Sequence, residues 1–233
     1  MKALILRVGI DKGYGFLSPV FYDMTFEYLP IYLRNKKETE RNEKRTYFDL
    51  IGNRNLALSE HLPNKLRNQI VHLDPEFETF TYGDPTRTKR AALLKLVKND
   101  LLIFYFGGRK DHPFEEGCFL FGFFEIEKII DWNETSEGAK KDIEQEFKNN
   151  AHIISSKSRN NLVMVKGNSN SRILKRCIQI SDRNLESNNP PYFTSLEFRT
   201  KYGLRKNIVR AVPMYIHDIR YINSLKKLLS HNI

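Results

Sequence analysis

Two apolar runs separated by a polar segment constrain this chain more than any other feature of its sequence. Residues 101–106 are apolar at every position, and residues 117–126 combine four phenylalanines with two glycines. The first run is too short for a membrane span and too aromatic for a surface helix, so it predicts a fully buried strand. The intervening residues 107–116 are polar and rich in turn-forming residues. Together they predict an antiparallel hairpin with a long loop at the centre of a sheet.

Shorter patterns predict the elements around this hairpin. Apolar runs of four to seven residues indicate strands, and apolar positions three or four apart behind a capping residue indicate helices. These patterns predict strands at residues 2–8, 151–155 and 161–166, and helices that begin near Thr86, near Ser136 and in an amphipathic segment from Ile219 to Leu229. The mixture predicts an α+β fold, and the length suits one domain.

The net charge of the chain indicates which partners it can bind, and its cysteines indicate the cellular compartment. The chain has 38 Lys and Arg against 28 Asp and Glu, a formal net charge of +10. Such a surplus favours a polyanionic partner such as nucleic acid, although a solvated basic surface fits equally well. Cys118 and Cys177 lie in apolar segments with no second cysteine nearby, which predicts buried reduced thiols and a cytoplasmic protein. No segment is long and apolar enough to cross a bilayer.

A glycine-rich segment follows the first predicted strand. Gly9, Gly13 and Gly15 allow turns whose free amides bind a phosphate or carboxylate, and Lys12 adds positive charge. The spacing differs from the dinucleotide-binding fingerprint, and no helix pattern follows. The glycines are equally consistent with a tight connection between strands.

His72 and Asp74 stand two positions apart in an extended segment that Pro75 ends. Side chains at alternate strand positions share a face, so the two can act together on one ligand. The alternative is that Asp74 caps a turn and His72 packs beside it, and the residues favour this alternative slightly.

Several segments in a fixed order resemble a known family. They are residues 7–15, 18–23, 29–31, 72–75 and 100–107. In this order they resemble the third of the nucleotide-modification-associated domain families, which are predicted components of systems that make or handle modified DNA bases. The resemblance covers most of the first half of the chain and continues loosely to Lys166. It implies no established mechanism and no cofactor or metal.

A second resemblance concerns the predicted hairpin. Residues 98–107 and 120–126 are similar to the central hairpin of PUA-like modules of the EVE and ASCH type, some of which hold a flipped modified base in an aromatic pocket. Those modules often have Gly-Asp where this chain has Asn99-Asp100. The resemblance implies a PUA-like, mixed and partly closed sheet with flanking helices. The predicted core spans roughly residues 1–180, followed by a C-terminal helical extension at 190–233.

Three functions follow from these observations. The first is a module that binds nucleic acid or a nucleotide, with DNA favoured over RNA; the second is an enzyme on a modified base, with Asp11, His72 and Asp74 in acid–base roles. The third is a structural subunit. Binding ranks first because no zinc-deaminase, Walker, nuclease or methyltransferase motif is present. The predicted base- or nucleotide-binding residues are Arg7, Lys12, Gly13, Tyr14, Gly15, Ser18, Phe104 and Tyr105, and the predicted phosphate contacts are Arg87, Arg90, Arg109, Lys166 and Arg172. Phe104 fits a core position better than a stacking one.

Overall fold

The structure, a computed structural model, describes residues 1–33, 42–155, 159–183, 192–210 and 212–232. Its strands are β1 (Ala3–Arg7), β2 (Ser18–Val20), β3 (Ile31–Tyr32), β4 (Val71–His72), β5 (Thr81–Asp84), β6 (Leu101–Lys110), β7 (Glu115–Asp131), β8 (Val163–Gly167), β9 (Arg172–Gln179), β10 (Ser181–Arg183), β11 (Tyr192–Thr194) and β12 (Met214–Ile216). Its α-helices are α1 (Asn64–Arg67), α2 (Arg87–Leu93), α3 (Glu137–Glu146), α4 (Ala151–Ile154), α5 (Leu196–Tyr202) and α6 (Ile219–Ser230). Short 3₁₀ helices cover Lys12–Tyr14, Leu58–His61 and Trp132–Glu134.

The predicted central hairpin is confirmed. β6 and β7 pair antiparallel from Leu101 opposite Glu125 to Lys110 opposite Glu115, with an irregularity between Phe104 and Tyr105. The connecting turn is shorter than predicted, because Gly107 and Gly108 pair with Cys118 and Gly117 and so extend the ladder. A glycine without a side chain can enter a ladder between large aromatic neighbours, which is why residues 107–110 belong to the strand.

The main sheet grows outward from this hairpin. Its strand order among the described residues is β12-β1-β6-β7-β8-β5, with β2 also on β6 and β9 also on β7. β1 runs parallel to β6, whereas β12 runs antiparallel to β1. The α+β class, the mixed sheet and the flanking helices are therefore confirmed. The sheet is not closed, since its path ends at β5 and β12, and the PUA-like topology stays a prediction.

Both faces of the central strands are covered, which explains why the hairpin is apolar at consecutive positions. On one face Phe104, Phe106 and Phe121 pack with Leu93 of α2. On the other face Ile103, Tyr105 and Leu120 pack under α5 and α6. The amphipathic prediction for α6 is confirmed, because its Ile222, Leu225 and Leu229 are buried in this second cluster.

One predicted strand is a helix. Residues 151–155 were expected to be extended, but Ala151–Ile154 forms α4. The Asn150 side chain accepts a hydrogen bond from the His152 backbone N–H at 2.9 Å and so caps this helix. The cap places the His152 ring toward β4 and β5, which matters for the site described below.

Two further sequence predictions concern the cysteines and the membrane. Cys118 and Cys177 are buried free thiols, as predicted. Burial raises the pKa of the Cys118 thiol to about 11, so the group stays protonated at neutral pH. Within the described ranges, none of the helices has the length and apolar character that a bilayer span requires.

Candidate functional site

A cleft of about 670 Å³ lies where the ends of β1 and β5 meet β3, β4, the start of α2 and α4. We call it the central cleft. Its size falls in the range of about 300–1,000 Å³ that small-molecule sites occupy. The polar side chains that line it are Arg7, Tyr14, Tyr32, His72, Asp74, Tyr82, Asp84, Thr86, Thr88, Lys89, His152 and Arg210.

Three ionisable side chains form a compact cluster in this cleft, which we call the His–Asp cluster. His72, Asp74 and His152 each offer one ligand atom, and these atoms all lie within 4.8 Å of one another. The Nε2 atoms of His72 and His152 are 3.3 Å apart, and His152 Nε2 lies 3.4 Å from Asp74 Oδ2. The two imidazole rings meet edge to face, with an interplanar angle of 84°.

Backbone pairing and a buried amide hold the cluster in place. His72 lies opposite Ile31 in the two-stranded β3–β4 ladder. The Asp74 carboxylate accepts hydrogen bonds from the Gly83 N–H at 3.1 Å and from Asn150 Nδ2 at 2.9 Å. Asn150 is fully buried and also caps α4, so one side chain positions both Asp74 and His152.

Burial dominates the ionisation of Asp74. It raises the pKa of the carboxyl, while hydrogen bonds and charge from His152, together with Asn150 and the Gly83 N–H, act in the opposite direction. The net shift is upward. An additional cation nearby would therefore stabilise this buried carboxylate more than it would stabilise a solvated one.

Gly83 must be a glycine for the cluster to close. A Cβ at this position would lie 2.8 Å from His152 Cδ2 and 2.9 Å from Met164 Sδ. Gly83→Ala is therefore expected to displace the His152 ring and to lower the free energy of unfolding by about 1–3 kcal/mol, measured by chemical denaturation. Gly138→Ala is the control, since a Cβ there meets nothing within 4 Å; equal stability losses in both variants would contradict the prediction.

A second carboxylate lines the cleft beside the His–Asp cluster. Asp84 pairs with Lys89 Nζ at 2.9 Å and accepts hydrogen bonds from Tyr82 Oη at 3.0 Å and the Thr86 N–H at 2.8 Å. Burial alone would raise the pKa of Asp84, but Lys89 and the Thr86 hydrogen bonds outweigh it and lower the pKa. Asp84 is thus a fixed anion that holds Lys89 at the cleft.

Two arginines contribute further positive charge. Arg7, at the end of β1, packs over Gly107, where a Cβ would overlap its guanidinium group. Its buried Nε has no hydrogen-bond partner among the described residues. Arg210 pairs with Asp11 through Nη1 while its side chain remains 52% exposed. Lys89, Arg7 and Arg210 give the cleft three cationic groups.

The glycine-rich segment does not form the predicted open anion turn. Asp11 caps the 3₁₀ helix Lys12–Tyr14 by accepting from the Gly13 N–H at 2.8 Å, and Gly15 ends it with φ of 84°, which favours glycine. Lys12 extends away from the central cleft to Glu116, at 2.5 Å. Gly9 and Tyr14 are the members of this segment that line the cleft, and the Tyr14 ring contacts Tyr32. Asp11 is not part of the His–Asp cluster.

Three other predicted binding residues are buried structural groups. Ser18 is fully buried, and its hydroxyl accepts from the Leu29 N–H at 3.2 Å. Phe104 and Tyr105 are 0% and 1% exposed and point to opposite faces of the sheet. We therefore correct the expectation that a base stacks on either ring, because neither offers a free face. Phe104 is a core residue, the alternative that its sequence context favoured.

The five predicted phosphate contacts do not line the central cleft. Arg90 pairs with Asp131, Arg109 lies over the rings of Phe16 and Phe114, and Arg172 donates to the carbonyls of Ser169 and Ser171. Lys166 lies on β8 above Phe147. Arg87 is exposed at the first position of α2. Arg87 and Arg90 share α2, whereas Arg109, Lys166 and Arg172 lie on β6, β8 and β9, and none of the five lines the central cleft.

Sequence reasoning missed His152, Asn150, Lys89 and Arg210 as functional candidates. His152 and Asn150 lie about 80 positions from His72 and Asp74, and no local spacing connects them. The Asn-Ala-His pattern at residues 150–152 is the available signal, since asparagine before a short apolar run is a typical helix cap. That pattern predicts the helix, but not the neighbour of His152.

The fold and the site define the class of this protein: an α+β domain with a mixed sheet and a cleft lined by three cationic side chains and a His–Asp cluster. The model of the family described as "Nucleotide modification associated domain 3" matches residues 2–215, so the chain belongs to this family. The resemblance predicted from the sequence is thereby confirmed. No curated protein and no solved structure matches the chain. The family description associates the chain with nucleotide modification.

Proposed function

We propose that the central cleft binds a nucleotide, or a modified base presented by a nucleic acid, as the recognition component of a DNA-modification system. The observation that carries this proposal is the combination of three cationic side chains and a His–Asp cluster with a buried carboxylate in one cleft of about 670 Å³. The family description supports an association with nucleotide modification.

The size and charge of the cleft suit a single nucleotide rather than a duplex. A base inside a double helix would have to leave the stack to enter such a cleft, at a cost of a few kcal/mol. Arg7, Lys89 and Arg210 supply the charge that attracts a phosphate, and arginine offers a planar fork of donors to its oxygens.

Discrimination between bases requires polar groups that are fixed and shielded from water. Asp74 and Asp84 are both less than a tenth exposed and are held by hydrogen bonds within the protein. Tyr14 and Tyr32 add half-buried aromatic edges at the same cleft. These groups replace Phe104 and Tyr105 as the surfaces that would contact a base.

A second candidate function is processing of the bound base, and the His–Asp cluster favours it. Two imidazoles and a carboxylate whose ligand atoms lie within 4.8 Å of one another are the group types that general acid–base catalysis uses. Of the acid–base residues predicted from the sequence, this alternative keeps His72 and Asp74, adds His152 and omits Asp11. We also propose that the protein prefers DNA over RNA and acts in the cytoplasm.

The test is calorimetric titration with plain and modified nucleoside monophosphates and with the matching nucleosides. Arg7→Gln is expected to weaken monophosphate binding about tenfold or more, because a hydrogen-bonded charge pair contributes about 1.5–3 kcal/mol. Nucleoside binding should change much less. Arg109→Gln is the matched control, since Arg109 is similarly half-buried and lies outside the cleft. Failure of every monophosphate to bind, or equal losses in both variants, would refute the proposal.

Nucleic-acid strands distinguish recognition from processing. Competition between DNA and RNA strands that carry the preferred base tests the preference for DNA, and mass spectrometry of the recovered nucleosides follows. Recovery of chemically unchanged strands would show that the protein recognises the base without processing it. A changed nucleoside mass that disappears in His72→Gln would assign processing.

A further inference from the structure

Two of the three atom pairs in the His–Asp cluster have the spacing of ligands of one ion. Bonds of about 2.0–2.2 Å to a first-row transition metal place neighbouring ligand atoms about 3.0–3.5 Å apart. The two measured contacts in the cluster, 3.3 Å between the Nε2 atoms and 3.4 Å from His152 Nε2 to Asp74 Oδ2, fall in that interval. The three atoms come from β4, the segment that follows it and α4, so the tertiary fold creates this spacing.

The alternative is that the cluster shares a proton. A proton, however, interacts with fewer of the three atoms than a metal ion does. His152 Nε2 lies within hydrogen-bonding or ion-pair range of both His72 Nε2 and Asp74 Oδ2. One hydrogen on that nitrogen points toward one neighbour only, because the ring N–H has a single direction. A cation between the three atoms accepts a lone pair from each of them at once.

The surroundings of Asp74 also fit a cation. The Asp74 side chain is 4% exposed, and His152 is its only ion-pair partner in the part of the chain that the structure describes. Asn150 Nδ2 donates to Oδ1, and this hydrogen bond orients the carboxylate so that Oδ2 faces His152. Metal-binding carboxylates are typically oriented by such hydrogen bonds from neighbouring groups.

We propose that His72 Nε2, Asp74 Oδ2 and His152 Nε2 bind one divalent first-row transition-metal ion, such as Zn²⁺, Mn²⁺ or Fe²⁺. Two imidazoles and one carboxylate favour these ions over Mg²⁺ and Ca²⁺, which prefer oxygen ligands. Three protein ligands leave at least one coordination position open, and all three residues line the central cleft. A phosphate or base oxygen of a bound ligand would occupy that position; this consequence rests on the proposed function, whereas the metal site itself does not.

The test uses the full chain after removal of metal with a chelator and dialysis, and no nucleotide is present. Calorimetric titration with Zn²⁺ and with Mn²⁺, and optical titration with Co²⁺ as a spectroscopic probe, should each show one equivalent bound. His72→Gln and His152→Gln are each expected to weaken Co²⁺ and Zn²⁺ binding about 100-fold or more, because changes in the surrounding residues alone cost 10- to 100-fold. Asp74→Asn should do the same while keeping the side-chain shape.

His217→Gln is the control, since His217 is exposed and lies on Tyr215, outside the cluster. It should bind one equivalent with unchanged affinity, and circular dichroism identifies the variants that remain folded. If the wild-type chain binds none of the three ions at one equivalent, the proposal is wrong. It is also wrong if folded His72→Gln and His152→Gln bind Co²⁺ as tightly as His217→Gln. Because nucleotide titrations are measured separately, metal binding without nucleotide binding would overturn only the proposed function.

Discussion

Truncation of Phe104 to alanine is expected to lower the free energy of unfolding by about 3–5 kcal/mol. The ring is fully buried between Phe124, at a centroid distance of 4.9 Å, and Tyr82, at 5.3 Å. Alanine leaves a cavity in the centre of the aromatic cluster, and rigid neighbours on a paired strand cannot collapse into it. Chemical denaturation measures the loss directly, and thermal unfolding should fall by about 10 °C.

Phe104→Leu separates a core role from a role in stacking. Leucine fills most of the same volume, so the expected loss of stability is below about 1.5 kcal/mol, and affinity for a nucleotide should not change. A variant that kept its stability but lost nucleotide affinity would restore Phe104 as a stacking surface. Retained affinity would leave Tyr14 and Tyr32 as the aromatic residues of the cleft.

The burial of both Phe104 and Tyr105 shows what the hairpin sequence can predict. Successive strand residues point to opposite faces, so a run that is apolar at every position indicates cover on both faces. The α+β class and the central pairing follow from that pattern. The same pattern argues against exposing either ring, since Phe104 faces the aromatic cluster and Tyr105 faces the helices α5 and α6.

The site was less predictable because its parts are distant in sequence. His72 and Asp74 are local neighbours, and the structure brings them together in the His–Asp cluster. His152 comes from a four-residue apolar helix, a length at which the hydrophobic pattern of a strand and a helix cannot be distinguished. The sequence therefore indicated no metal-ligand spacing and predicted no metal, although two imidazoles and one carboxylate converge in the fold.

The cationic residues show a second reason why the site could not be predicted from the sequence. The excess of positive charge is a property of the whole chain, and it does not identify which side chains are near one another. Arg90 and Arg172 have partners that hold them elsewhere. Lys89 reaches the cleft because α2 begins just after β5, and Asp84 at the end of that strand binds it. The position of a cationic residue relative to the sheet therefore determines whether it lies at the site, and the net charge of the chain does not.

Replacement of Asn150 by alanine is the second change with a large expected effect, about 2–4 kcal/mol in the free energy of unfolding. It removes the helix cap on His152, which contributes about 1 kcal/mol. It also removes the Asn150 donor from the Thr81 hydroxyl and from the buried Asp74 carboxylate, which keeps the Gly83 N–H alone as its backbone donor, at about 1–3 kcal/mol.

Asn149→Ala is the matched control, since the half-buried neighbour of Asn150 engages Arg45 through its backbone carbonyl, which the substitution retains. It should change stability by less than about 0.5 kcal/mol. Denaturation of both variants, together with NMR signals of the His72 and His152 rings, tests whether Asn150 positions the His–Asp cluster. Loss of stability with unchanged histidine signals would mean that Asn150 supports the fold alone. Loss of both would show that the buried amide couples the stability of α4 to the geometry of the site.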